Sequence, residues 1–170
     1  MKNNNLFHKF NLFLVVSSFI IWLGTYIARH LAIYQLFEPD GLVLRSVFNQ
    51  ENLSTVWITI LPLFVTTLIS FPLFILLFIV YLFISKRNLR NEGWLFISFL
   101  IITVTAPFEF FLMVKDYHIV TLILSNAADP MNILYLVRER ITILSSFPLI
   151  EIFSYLAIVF LTIFKPLSKN

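Results

Sequence analysis

Residues 55–84 read TVWITILPLFVTTLISFPLFILLFIVYLFI, an apolar run in which Tyr81 is the sole ionisable side chain. As an α-helix rising about 1.5 Å per residue, this run would be roughly 45 Å long, whereas the hydrocarbon core of a bilayer is roughly 30 Å thick. The run therefore predicts a membrane-spanning helix with residues to spare. Pro62 and Pro72 predict a kink, because nearby Ser and Thr side chains or other helices can satisfy the carbonyls that each proline frees in lipid.

The composition of the chain agrees with a membrane protein. The 170 residues are 59% hydrophobic and only 12% charged, with a mean hydropathy of +0.92, and they suffice for one compact unit. The chain has no Cys, which excludes thiol nucleophiles, disulfides and thiolate metal sites. The net charge of +3 is not gathered into a basic stripe, so we expect no nucleic-acid partner.

Three further apolar runs are long enough to cross a bilayer. The predicted spans are residues 10–34, 55–84, 94–114 and 145–164. Two outer segments, residues 37–54 and 115–144, and an inner loop, residues 85–93, connect them. The sequence therefore predicts an all-α, polytopic membrane protein, a four-transmembrane-helix bundle that forms a single domain.

The stretch at residues 115–129 has a different pattern. His118, Thr121 and Ser125 recur at helical spacing, opposite a side made of apolar residues. This amphipathic part is too short to span, so we expect a helix lying in the membrane interface before the last span.

Asp129 followed by Pro130 is typical of a helix start, with an N-cap and then proline at the first helical position. We expect the helix that begins here to run as far as Phe164 with a bend at Pro148. Its first turns would stand outside the membrane.

The distribution of charge predicts the orientation of the bundle. Four spans put both termini on one side, and that side carries most of the basic residues against a single acid, Glu92. These basic residues are Lys2, Lys9, Lys86, Arg87, Arg90, Lys165 and Lys169. Under the positive-inside rule, both termini and the inner loop are expected in the cytoplasm, with the spans in the inner membrane of a bacterium.

Several ionisable side chains are predicted to lie at or near membrane depth on the outer side: Arg29, His30, Glu109, Arg140 and Glu151. An isolated charge there costs several kcal/mol, so these groups should pair, face a wet cavity or meet a partner. Three interpretations stay open: ion pairs that fix the bundle, a site presented to a partner, and self-contained catalysis or transport. His30 and His118 could also lie at similar depth, which is a weak indication of haem.

Two stretches suggest a family. Residues 132–150 read NILYLVRERITILSSFPLI, and residues 34–40, YQLFEPD, form an acidic and aromatic turn after the first span. Both stretches resemble the small membrane proteins associated with exosortases in Bacteroidota, which close with a tyrosine, an arginine pair and a terminal span. The resemblance implies an accessory to a membrane-embedded Cys-His-Arg transpeptidase that processes C-terminally tagged exported proteins. Because this chain has no Cys, it is not that enzyme.

We therefore expect a non-catalytic accessory subunit of a larger inner-membrane assembly, without a cofactor, a metal site or a catalytic residue. Its expected partners are the lipid bilayer and a larger integral membrane protein, for which the resemblance implies an exosortase-type transpeptidase. Arg138 and Arg140 are expected to protrude above the membrane and contact a partner carboxylate. Two alternatives stay open: an accessory subunit of a respiratory or photosynthetic complex, and a small transporter or intramembrane enzyme that uses Glu109 and Glu151.

Overall fold

The structure is a computed structural model that describes residues 2–39, 41–85, 89, 92–125 and 129–168. Within that part of the chain there are five helices and no strand. The helices are α1 (Lys2–Tyr34), α2 (Gln50–Ser85), α3 (Gly93–Ser125), α4 (Pro130–Ile143) and α5 (Phe147–Phe164). The predicted all-α fold class is confirmed. Of the residues invoked for orientation, Lys86, Arg87, Arg90 and Lys169 lie outside the described residues, as does Asp40 of the acidic and aromatic turn.

Four of these helices are long and apolar enough to cross a membrane, which indicates a multi-pass membrane protein in a lipid bilayer. The candidate spans are Leu6–Tyr34, Gln50–Ile84, Gly93–Ser125 and Phe147–Phe164. Large apolar side chains along them are exposed, such as Phe13, Ile69 and Phe153, as lipid contact requires. Pro62, Pro72 and Pro107 all lie inside helices.

The bundle has two ends that differ in content. At one end His8 of α1 contacts Tyr81 of α2, with ring centroids 5.1 Å apart, and Glu92 pairs with Ser168 in an isolated antiparallel bridge. This end carries both chain termini, and we call it the terminal end. The opposite end carries residues 35–49 and α4, and we call it the α4 end.

Helix α1 packs along α2, while α3 contacts α2, α4 and α5. The middle of the bundle is filled by aromatic rings around Trp22, which is fully buried. Its ring centroid lies 4.5 Å from that of Tyr155 on α5 and 4.9 Å from that of Phe71 on α2. Towards the α4 end, Trp57, Ile119 and Leu134 belong to a second apolar cluster that joins α2, α3 and α4.

The amphipathic segment before the last span is α4, and not residues 115–129 as predicted. Helix α3 continues without interruption to Ser125, because Ile119, Val120 and Ile123 lie on its buried side and pack against α2 and α4. Residues 126–128 lie outside the described part. Helix α4 is two-sided, with Val137 fully buried while Tyr135 is 68% exposed.

Helices α4 and α5 are separate, so the prediction of one bent helix from Met131 to Phe164 is wrong. The predicted start is correct, because the side chain of Asp129 accepts a hydrogen bond from the backbone N–H of Met131. The chain leaves helical geometry at Leu144, with φ −135° and ψ 58°. Pro148 has no N–H to bond the carbonyl of Leu144, and proline is favoured in the first turn of a helix, so a new helix starts.

A buried charge cluster as the candidate functional site

Six ionisable side chains from four helices meet at the α4 end, and we call them the charge cluster. They are at most 8% exposed. The members are Arg29, His30, Glu109, Asp116, Arg140 and Glu151. Arg29 and His30 lie near the end of α1, Arg140 lies in the last turn of α4, and Glu151 lies near the start of α5. Charges at this depth need partners, and most of the cluster finds them inside the chain.

Asp116 is the centre of the cluster. One of its carboxylate oxygens accepts a hydrogen bond from Arg29 Nη1 at 2.5 Å, and that oxygen also accepts from Arg140 Nη2 at 3.1 Å. The other oxygen accepts from Arg140 Nε at 2.5 Å. A single carboxylate therefore joins α1, α3 and α4 through two guanidinium groups, in the forked geometry that arginine provides.

His30 is held as a neutral imidazole by its two neighbours. Its Nδ1 lies 2.8 Å from the backbone carbonyl oxygen of Tyr26, which can only accept, so Nδ1 donates. Its Nε2 lies 3.4 Å from Arg140 Nη1, which can only donate, so Nε2 accepts. This tautomer satisfies both ring nitrogens and adds no charge to the cluster.

Glu109 and Glu151 are bound differently from Asp116. Both are fully buried, and none of their four carboxyl oxygens has a hydrogen-bond partner of normal geometry among the described residues. The nearest guanidinium to Glu109 is that of Arg29, with Nη2 3.9 Å from Oε1. The two carboxyl groups interact with each other, and Glu151 also interacts with the phenol of Tyr26.

Arg140 stays charged in this setting. Burial alone lowers its pKa, but the carboxylates of Asp116 and Glu109 raise it by more, so the pKa of Arg140 lies above the ordinary value for arginine. Arg29 is further held between aromatic rings, with its guanidinium carbon 5.3 Å from the Tyr26 centroid and 5.4 Å from the Phe64 centroid. Both cations are thus fixed charges of the cluster.

Arg138 and Arg140, which were expected to contact a partner together, lie on different sides of α4. Arg140 does not protrude above the membrane, because it is 2% exposed and turned into the cluster. Arg138 lies on another side of α4, where its guanidinium carbon is 5.7 Å from the centroid of Phe37. Its buried Nε has no hydrogen-bond partner among the residues that the structure describes. Glu139, between them, pairs with Lys115 of α3 at 2.9 Å.

An open cavity of about 460 Å³ lies at the α4 end, lined in part by Ile141, the residue after Arg140, and we call it the α4-end cavity. One wall comes from the turn after α1, including Tyr34, Phe37 and Glu38, and the other comes from the α4–α5 junction, including Thr142 and Ser145. Arg45 lines it as well, and its Nε donates to the carbonyl of Phe37 at 2.9 Å. This cavity is bounded by the two stretches, residues 34–40 and 132–150, that carry the family resemblance.

The sequence indicated five of the six cluster residues and missed Asp116, which lay in a predicted outer segment. A signal for it was present, because Asp116 follows Glu109 by seven residues, two helical turns, on the same face of a continued α3. The weak indication of haem is not supported by position, since His30 is buried while His118 is exposed. In the described part of the chain, no group of three or more potential ligands is arranged to hold a metal ion.

Comparison of the chain with protein-family models, with curated proteins and with solved structures gives no match. The geometry of the site itself indicates its chemistry. Arg29, Asp116 and Arg140 form an ion-pair set that joins three helices, and Arg29 also lies within ion-pair distance of Glu109. Glu109 and Glu151 supply acid groups that are not used in that set.

Proposed function

We propose that this chain is a non-catalytic accessory subunit of a larger inner-membrane assembly and that it receives its partner in the α4-end cavity. The observation that carries the proposal is the composition of that cavity. Two segments far apart in sequence, the turn after α1 and the α4–α5 junction, come together around about 460 Å³ of open space. The cavity has apolar, aromatic and charged walls, as a protein-binding surface requires.

The ion pairs within the charge cluster support the same role. Arg29, Arg140 and Asp116 are used to hold α1, α3 and α4 against one another. They hold α4, whose residues Ile141 and Thr142 line the cavity, against the bundle. Rigid scaffolds lower the entropic cost of binding a partner.

The resemblance to exosortase-associated membrane proteins suggests the class of partner, an integral Cys-His-Arg transpeptidase. The two stretches that carry the resemblance supply most of the cavity wall. A partner that works on exported chains would meet this protein on the outer side of the membrane, where we propose that the α4 end lies.

We further propose that both termini are cytoplasmic, as the basic residues of the terminal end favour. Two exposed serines at opposite ends test this orientation in a chain that has no Cys. A membrane-impermeant thiol reagent added to intact cells should label Ser46→Cys and leave Ser168→Cys unlabelled. The reverse pattern would show that the bundle is inverted.

The cavity itself is tested by filling it. Ser145→Trp should reduce the amount of co-purifying partner at least about tenfold, equivalent to about 1.4 kcal/mol of binding free energy. The measurement is quantitative mass spectrometry of the tagged chain purified in mild detergent from the cells that encode it. The control is Ser146→Trp, since Ser146 is the neighbouring exposed serine and does not line the cavity.

The outcomes separate the candidate functions. Loss of an integral transpeptidase with Ser145→Trp alone supports the proposal and its exosortase context. Equal retention or equal loss with both variants would mean that the cavity is not the docking site. Co-purification of a complex with a haem or quinone spectrum would favour a respiratory or photosynthetic subunit, and absence of any co-purifying protein would contradict an accessory role.

A further inference from the structure

Five oxygen atoms that have no hydrogen-bond partner of normal geometry in the described part of the chain are enclosed where α1, α3 and α5 meet. They are both carboxyl oxygens of Glu109, both carboxyl oxygens of Glu151 and the hydroxyl oxygen of Tyr26. All three side chains are fully buried. Because an unpaired polar group costs free energy in an apolar interior, this concentration indicates that the two carboxyl groups hold something that neutralises them.

A count of charges indicates what is bound. The cluster holds two guanidinium groups and three carboxyl groups, and His30 is neutral by its two contacts. When every carboxyl is ionised, two positive charges face three negative charges, which leaves an excess of one negative charge in a sealed, apolar setting. A buried, uncompensated charge is strongly unfavourable, so one more positive charge is needed.

We propose that Glu109 and Glu151 form a buried proton-binding site in which the two carboxyl groups share one proton. One carboxyl carries the proton and donates it in a hydrogen bond to the ionised oxygen of the other. The shared proton brings the cluster to neutrality. Two carboxylates in contact cannot both ionise without strong repulsion, and a shared proton is the usual solution for such a pair.

The proton belongs to this pair and not to Asp116. Both oxygens of Asp116 accept hydrogen bonds from arginine, and a proton there would weaken all three of these bonds. His30 does not take the proton either, because its Nε2 accepts from Arg140. Glu109 and Glu151 interact with each other, and among the described members of the cluster they are the carboxyl groups whose oxygens accept no hydrogen bond of normal geometry.

All five helices contribute side chains around Glu109 and Glu151. Charged and titratable groups face it from α1, α3, α4 and α5, and α2 adds the ring of Phe64 next to Arg29. These groups are Tyr26, Arg29, His30, Asp116, Arg140 and Tyr155. Arg29 is the closest cation and lies on the Glu109 side, so Glu109 is the carboxylate of the pair and Glu151 carries the proton.

The site also attaches α5 to the bundle. Glu151 and Tyr155, one turn apart, are the buried residues of α5, and the hydroxyl of Thr105 on α3 donates to the hydroxyl oxygen of Tyr155 at 3.2 Å. The remaining side chains of α5 face mostly outwards. The shared proton therefore supplies a direct bond between α5 and α3 at the α4 end.

Infrared difference spectroscopy on the purified full-length protein at neutral pH tests the site. We expect a carbonyl band of a protonated carboxyl group that shifts after exchange into D₂O. Glu109→Gln and Glu151→Gln should each remove this band, because two carboxylates then balance two guanidinium groups without a proton. Glu139→Gln, which changes a half-exposed carboxylate paired with Lys115, should leave the band unchanged.

Three results would overturn the proposal. The first is the absence of a protonated carboxyl band in the wild type, and the second is a band that survives in both Gln variants. The third is a band that appears only when Na⁺ is replaced by choline, which would mean that the oxygens hold a sodium ion. The charge cluster is neutral in each single Gln variant, so both variants should fold. Failure of both variants to fold would also contradict the charge count.

Discussion

Replacement of Asp116 by Asn is expected to lower the free energy of unfolding by about 3–5 kcal/mol, the cost of breaking a buried ion pair from one side. The variant leaves Arg29 and Arg140 buried without their shared acceptor. Release of the proton from Glu109 and Glu151 would restore the net charge. It would not restore the contacts with Arg140, since the new charge would appear on Glu151, where it is repelled by the ionised Glu109.

The matched control for this prediction joins the same two helices one residue away. Lys115 and Glu139 form an ion pair between α3 and α4 whose side chains are 35% and 34% exposed. Because such pairs are screened by solvent, Glu139→Gln should cost about 0–1 kcal/mol. Equilibrium unfolding of both variants in detergent micelles measures the difference in their free energies of unfolding. Equal stability of the two variants would show that Asp116 does not join the helices through buried ion pairs.

Trp22→Ala is the second change with a large expected effect. Trp22 is fully buried, and its ring packs against Tyr26, Phe71 and Tyr155 from three helices. Removal of the indole should cost about 3–5 kcal/mol, because the neighbouring rings cannot collapse into the space. In a membrane this packing, and not transfer from water, is what holds helices together.

The control for Trp22 is Phe83→Ala, since Phe83 is an aromatic residue of α2 that is 80% exposed. Its removal should change the free energy of unfolding by less than about 0.5 kcal/mol. Trp22→Phe should lose less stability than Trp22→Ala, because it keeps an aromatic ring and removes a buried N–H that has no hydrogen-bond partner within the described ranges. A loss with Trp22→Ala no larger than that with Phe83→Ala would contradict the aromatic core.

The fold class followed from the sequence because a bilayer sets a simple length requirement. The run at residues 55–84 exceeds that length, and the structure extends it to Gln50–Ile84. The end of α3 was missed because Lys115 and Asp116 were taken as the edge of the membrane. Apolar residues beyond them, Ile119 and Ile123, are buried, so packing against α2 and α4 sets the helix end instead of charge.

The site was predictable as a set of charges but not as a set of pairs. Charged residues in apolar runs need compensation, so the sequence indicated candidate site residues at or near membrane depth: Arg29, Glu109, Arg140 and Glu151. Which acid meets which base depends on how the helices rotate about their axes, and a single sequence does not contain that information. Arg140 was expected at the surface because the break at Leu144, which turns α4 relative to α5, was not foreseen.

A double-mutant cycle on Asp116 and Arg140 tests whether Asp116 joins the helices of the α4 end through opposite charges. The cycle compares the free energies of unfolding of Asp116→Asn, Arg140→Gln and the double variant with that of the wild type. We expect the double variant to lose about 2–3 kcal/mol less stability than the sum of the losses in the two single variants. In the double variant neither Asp116 nor Arg140 remains without the other. Strictly additive losses would contradict this expectation.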